Sequence, residues 1–239
     1  AEDGIRDRSP SRGLGDVYKR QTEVLVSKKW GFVNINLRTY YAEGSKTVGY
    51  EIIEQLGWKA PKNIVCCMAS GSLLTKIYKS VQEFVNLGFV EDVGTKIYGA
   101  QASGCSPIST AIKNDWETFK PVKPDTIAKS LAIGNPADGL NAINLMRGIN
   151  SYSEEVTDEE IVEAMKLLAE TEGIFTETAG GVTLGCAKKM IENGQISRDE
   201  DLVLIITGNG LKTQDPLVGN IKSPYTINPK LEDFDNIQY

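Results

Sequence analysis

The stretch "NIVCCMASGSLLTKIYKSVQEF" (63–84) limits the fold more than any other in the chain. It opens on a continuous apolar run with no polar alternation, the signature of a strand buried on both faces of a parallel sheet. Three residues with almost no side chain, Ser70, Gly71 and Ser72, then interrupt it. Apolar residues return at helical spacing, with Leu74, Ile77, Val81 and Phe84/Val85 on one face and Gly88 as the stop. A second strand, "KIYGAQA" (96–102), follows at the separation a parallel crossover needs. A strand, a bare turn and a helix repeated in this order predict an α/β protein built on a parallel sheet.

The remaining segments agree with that class. "SKTVGYEIIEQLGW" from Ser45 carries Val48, Ile52, Ile53 and Leu56 on one helical face, ended by Gly57. Residues 103–151, rich in Gly, Pro, Ser and Asn, read as loops around short helices. Thr157 and Glu160 have capping-box spacing ahead of a helix whose stripe is Ile161, Ala164, Met165 and Leu168, closed by Gly173. "GGVTLGCAKKMIENG" reads as a further helix, and "LVLIITGNG" as a strand that ends in glycines. "LEDFDNIQY" is an acidic end, expected as a surface helix or frayed tail.

Composition removes several functions. The chain of 239 residues has a net charge of -6, which argues against a nucleic-acid surface. No apolar run approaches the roughly 18 residues of a membrane span. It contains 0 histidines, so Ser-His and Cys-His nucleophiles and histidine metal sites are absent. Cys66, Cys67, Cys105 and Cys186 show no CxxC spacing. They read as buried, reduced thiols of a cytoplasmic protein, and no metal site is expected.

Residues 1–21, "AEDGIRDRSPSRGLGDVYKRQ", have no periodic apolar face and too many acids for a transit peptide. "GDVYKRQ" matches the translation of a transposon end used in library preparation. We expect this segment to be adapter-derived and disordered, with authentic sequence over 22–239 and the natural protein beginning upstream of Thr22.

Two strands end in small-residue turns, "ASGSL" and "TGNG", and ligands of open parallel sheets collect at such carboxyl ends. A Ser/Gly turn entering a helix offers unobstructed N–H groups and the positive helix end, which suits a phosphate; the alternative is a plain N-terminal turn. Neither GxGxxG nor GK[ST] is present, which turns the reading away from dinucleotides and ATP.

"NINLRTYYAEGSKT", "MASGSLLTKIYKSVQEF", "YGAQASGCSPISTA", "PVKPDTIAKSLAIGNPADG", "VTDEEIVEAMKLLAETEGIFTETAGGVTL" and "TGNGLKT" together resemble the threonine synthase family, over about 22–213. The resemblance implies a three-layer parallel-sheet fold of type II (tryptophan synthase β-like), as an incomplete catalytic domain. It implies pyridoxal 5'-phosphate (PLP) as cofactor and conversion of O-phospho-L-homoserine and water to L-threonine and phosphate. Ala69, Ser70, Gly71, Ser72 and Leu73 would cradle the cofactor phosphate, and Thr207 would face the ring nitrogen. A hydroxyl there, unlike a carboxylate, need not hold that nitrogen protonated. Asn36, Arg38 and Lys46 would serve the substrate, with Arg38 suited to its phosphate dianion. Ser130 and Ala132 would shape the pocket over the cofactor, and Glu177 would either cap its helix or approach the cofactor.

The family's Schiff-base lysine sits in an S-x-K-D-like motif ahead of "NINLR". The contexts "SKKW", "GSKT", "LTKIYKS" and "AKSL" do not match it, so no catalytic residue is assigned and the chain alone is expected to be inactive. The alternatives are another type II lyase, such as cysteate synthase or threonine dehydratase, or a non-catalytic fragment. A homodimer with no nucleic-acid or membrane partner is expected.

Overall fold

The computed structural model describes residues 14–28, 30, 39–221 and 225–237. Four strands among them form one parallel sheet: β1 (Asn63–Cys67), β2 (Lys96–Ala102), β3 (Ser153–Val156) and β4 (Leu202–Leu204), in the spatial order β3-β2-β1-β4. Register sets Val65 of β1 opposite Tyr98 of β2 and Leu204 of β4. The ladder goes one residue past β4, where the Ile205 N–H donates to the Val65 carbonyl at 3.0 Å.

Helices cover both faces, which gives the expected three layers. α4 (Ser72–Asn86), α5 (Pro107–Lys113) and α6 (Gly139–Gly148) lie on one side, with α3 (Thr47–Gln55) packed outside α4. α7 (Asp158–Glu172) and α8 (Thr178–Glu192) lie on the other. The two-residue period of β1 divides its side chains between the layers. Ile64, Cys66 and Met68 enter the α4 side of the core, while Val65 and Cys67 enter the α8 side. Every residue of β1 is buried, which explains its unbroken apolar run. Gly99 leaves room for two side chains: a Cβ there would stand 2.3 Å from the Met68 Cε and 2.7 Å from the Ser153 Oγ.

Local signals are realised in detail. The Thr157 hydroxyl accepts the Glu160 N–H at 3.3 Å and the Glu160 carboxylate accepts the Thr157 N–H at 2.8 Å, so the capping box is complete. Gly173 closes α7 at φ 68°, in the left-handed region that favours glycine. Residues 103–151 do hold short helices, α5 and α6, and β3 emerges directly after them. All four cysteines are free and buried.

One expectation is corrected. Helix α1 (Leu14–Lys28) crosses residue 21, so 14–21 are helical rather than disordered. The segment has no glycine after Gly15 and no proline, and its Lys, Arg, Gln, Glu and Leu are good helix formers whatever their origin. Near the other end, α2 (Thr39–Gly44) leads into α3, and the acidic tail forms a short exposed helix, α9 (Leu231–Asp235).

Candidate active site

The bare turn between β1 and α4 lies at the carboxyl edge of the sheet. Gly71 is the N-cap of α4 at φ 89°, ψ -13°, and no side chain caps the helix. A Cβ on Gly71 would stand 3.0 Å from the Asp138 carbonyl oxygen and 3.1 Å from the Ala142 Cβ, so the turn is closed against the start of α6. The Asp138 N–H donates to the Ser70 carbonyl at 3.0 Å. In a planar trans peptide the next N–H points the opposite way, so this bond turns the Gly71 N–H outward from α6. The Ser72 N–H is shared with the Ser70 hydroxyl at 3.3 Å. The N–H groups of Leu73 and Leu74 open a helix and have no intrahelical acceptor.

Two further observations fit an anion cup at this turn. The Ser72 hydroxyl oxygen is buried and has no hydrogen-bond partner. The nearby Asp138 carboxylate is tied aside, accepting from Thr75 at 2.8 Å and from Asn141 at 2.6 Å. A buried hydroxyl left unsatisfied is costly unless something arrives to pair with it. Left-handed backbone, converging N–H groups and the positive end of a 15-residue helix suit a phosphate.

Thr207 follows β4 by three residues, and its side chain meets Cys67, the last residue of β1. Continuing the β1–β4 register places it level with Met68, at the ends of adjacent strands. Its hydroxyl donates to the buried Glu177 carboxylate at 2.8 Å. The Cys67 thiol lies against Thr183 and Thr207. Glu177, 3% exposed, is the N-cap residue of α8, yet its side chain makes no capping bond. The carboxylate turns to Thr207 and, through its other oxygen, to the Lys212 ammonium at 3.0 Å. The strand-end segment is fastened to it by backbone bonds, Glu177 N–H to the Gly208 carbonyl and Gly210 N–H to the Phe175 carbonyl, both 2.9 Å.

Of the other expected residues, Lys46 is committed away from the cup. Lys46, 8% exposed, is held by Glu83 at 2.9 Å and by an ion pair with Glu43. Tyr50 donates to the same Glu83 carboxylate, and hydrogen bonding to Glu43 and Glu83 raises the Lys46 pKa above the ordinary lysine value. Glu83 lies near the far end of α4, about 16 Å along the helix from Ser72 at 1.5 Å per residue. Lys46 therefore works in a packing ion-pair network between α3 and α4. Asn36 and Arg38 lie outside the described residues.

Ser130 and Ala132 belong to a turn on the α8 side, where Ala128 and Leu131 join that half of the core. The turn is anchored to α7: the Thr126 hydroxyl and the Ile127 N–H donate to Asp158 at 2.6 and 3.1 Å. Ala132 is 1% exposed, and the Ser130 hydroxyl is buried with no partner. Among the described residues no group of His, Cys, Asp or Glu is arranged to hold a metal ion.

A parallel sheet covered on both faces, with a bare helix-opening turn and a hydroxyl at neighbouring strand ends, is an α/β architecture suited to a phosphorylated ligand where two strands finish. The family model described as pyridoxal-phosphate dependent enzyme matches residues 11–208, and the chain belongs to that family. Threonine synthase of Methanocaldococcus jannaschii is 37% identical over 204 residues, covering 85% of this chain and 50% of that one. Threonine synthase of Methanosarcina acetivorans is 34% identical, covering 92% of this chain and 55% of that one. The chain thus spans about half the length of these curated relatives.

Solved structures share the fold. Maize serine racemase superposes with a TM-score of 0.61 at 18% identity, over 85% of this chain and 62% of that one. A fungal L-serine ammonia-lyase from Rhizomucor miehei gives 0.60 at 20% identity, over 77% and 58%. The architecture is that of the type II PLP enzymes. The cup fits the phosphate of that cofactor: its unpartnered Ser72 oxygen, left-handed Gly71 and open N–H groups present the donors a phosphate needs, with no carboxylate aimed among them.

Proposed function

We propose that this chain is part of a threonine synthase, which converts O-phospho-L-homoserine and water to L-threonine and phosphate. The observation that carries the reading is the bare turn after β1, with its left-handed Gly71 and buried, unpartnered Ser72 hydroxyl, next to β4 in the sheet. The identities of 37% and 34% to threonine synthases support the choice of reaction within the family.

The roles follow from what each group can offer. Main-chain N–H groups of Ala69–Leu73 and the hydroxyls of Ser70 and Ser72 would bind the cofactor phosphate, and Thr207 would meet the ring nitrogen. When bound, the cofactor supplies an electron sink for carbanion chemistry on an amino acid. Ser130 and Ala132 would line the cofactor face, held by the Asp158 anchor. Arg38 and Asn36 remain our candidates for the substrate phosphate. Lys46 is not, because its ammonium is already committed to two carboxylates.

No lysine of this chain stands in the expected motif, so we propose that it does not turn over substrate alone. A homodimer in the cytoplasm is proposed from the resemblance. Among the described residues no helix is long and apolar enough to cross a membrane.

The test is the product of the reading frame that carries this chain, assayed with PLP and O-phospho-L-homoserine. Threonine and inorganic phosphate in equal amounts support the proposal. A 2-oxo acid formed from threonine or serine, with phosphohomoserine untouched, refutes it in favour of a dehydratase.

A further inference from the structure

We infer that Glu177 is a positioning residue that fixes the direction of the Thr207 proton, and through it requires a ring nitrogen seated there to be protonated. The inference rests on the reading of Thr207 as the partner of the cofactor ring nitrogen.

A threonine hydroxyl has one proton and two lone pairs. Here the proton goes to the Glu177 carboxylate at 2.8 Å, and an ionised carboxylate can only accept. Glu177 cannot easily release it. The Glu177 N–H is bonded to the Gly208 carbonyl, and the carboxylate fills the space a side chain at Gly208 would need, where a Cβ would stand 2.5 Å from Oε1. At 3% exposure, water does not replace the lost partner if the hydroxyl turns away. The titratable and charged groups facing the carboxylate are the Lys212 ammonium at 3.0 Å and the Cys67 thiol of β1. Lys212 faces it with the opposite charge.

Thr207 therefore presents lone pairs to the site. A ring nitrogen that meets them has to bring its own proton. A hydroxyl alone leaves that protonation open; a hydroxyl with its proton already assigned to a buried carboxylate does not. The pair Thr207–Glu177 acts as a carboxylate one atom removed.

The experiment uses the 239-residue chain with pyridoxine 5'-phosphate, which has no aldehyde and so binds without a covalent bond. Ring absorbance reports nitrogen protonation, and inorganic phosphate is the competitor. In the wild type the bound ring should stay protonated to higher pH than the free ligand. Glu177→Gln should move that transition down by about one pH unit or more, tenfold in the proton equilibrium. Its inhibition constant for inorganic phosphate should not change. Lys212→Ala, at an exposed position, should leave the transition in place or raise it, because it removes a positive charge near the site. An unmoved transition in Glu177→Gln, or a lowered one in Lys212→Ala, overturns the inference. Failure of the phosphate to displace the probe would instead overturn the cup. A titration insensitive to Thr207→Val would overturn the placement of the ring.

Discussion

Gly71→Ala tests whether the turn after β1 is as constrained as its geometry implies. Gly71 sits at φ 89°, and a left-handed conformation costs an ordinary residue about 1–2 kcal/mol. The new Cβ would also press on backbone, at 3.0 Å from the Asp138 carbonyl oxygen and 3.3 Å from its carbon. That backbone is held by its own bond to Ser70, so it cannot yield without opening the cup. The two effects together amount to about 2–3 kcal/mol of lost stability. For a chain of this size that lowers Tm by roughly 4–12 °C. The assay is thermal unfolding followed by circular dichroism, with and without inorganic phosphate. Wild type should be stabilised by phosphate, and the variant should lose most of that gain along with its lower Tm. A variant that melts with the wild type and keeps its phosphate response would refute the account of the turn.

Three other outcomes are expected. Lys46→Met should cost about 1–2 kcal/mol, since its partners Glu43 and Glu83 are partly exposed, and should leave affinity for pyridoxine 5'-phosphate unchanged. The Glu83 carboxyl is lowered by the Tyr50 hydroxyl and Lys46, so this stability is full above the ordinary carboxyl value of 4.5 and is lost as pH falls below it; Tm against pH should show the loss in wild type and a smaller one in Lys46→Met, where the Tyr50 bond remains. All four thiols are buried, so they should resist a disulfide reagent in the native state and react on unfolding; burial also pushes Cys105 up to about 11 and Cys186 further. Deleting residues 1–21 should change stability by less than about 1 kcal/mol, as measured by urea unfolding, since no described residue of α1 is buried.

What the sequence made legible was local. The β1 run, the bare turn, the α7 capping box and the glycine stops each rest on neighbours within a few positions, where spacing carries the information. β3 was not legible: "SEEV" is a buried strand written in polar residues, and it stands because Glu154 pairs with Lys113 and Ser153 bonds to Ser109. Those partners are about 40 positions away. Lys46 looked like a site residue because "EGSKT" adjoins "NINLR", but the carboxylate of Glu83, 37 positions on, decides where its ammonium goes. Glu177 stood at a strand-to-helix junction with two open roles. Its side chain leaves the cap for the Thr207 hydroxyl, 30 positions later, a partner that no periodicity reveals.

The central claim is that main-chain donors at 69–74 grip a phosphate ester. Amide proton shifts of Ser70–Leu74, followed by nuclear magnetic resonance during titration with pyridoxine 5'-phosphate and then with pyridoxine, measure this directly. The account predicts large, saturable shifts of these amides with the phosphorylated compound and none with the unphosphorylated one. Equal responses to both, or shifts confined to other parts of the chain, would contradict it.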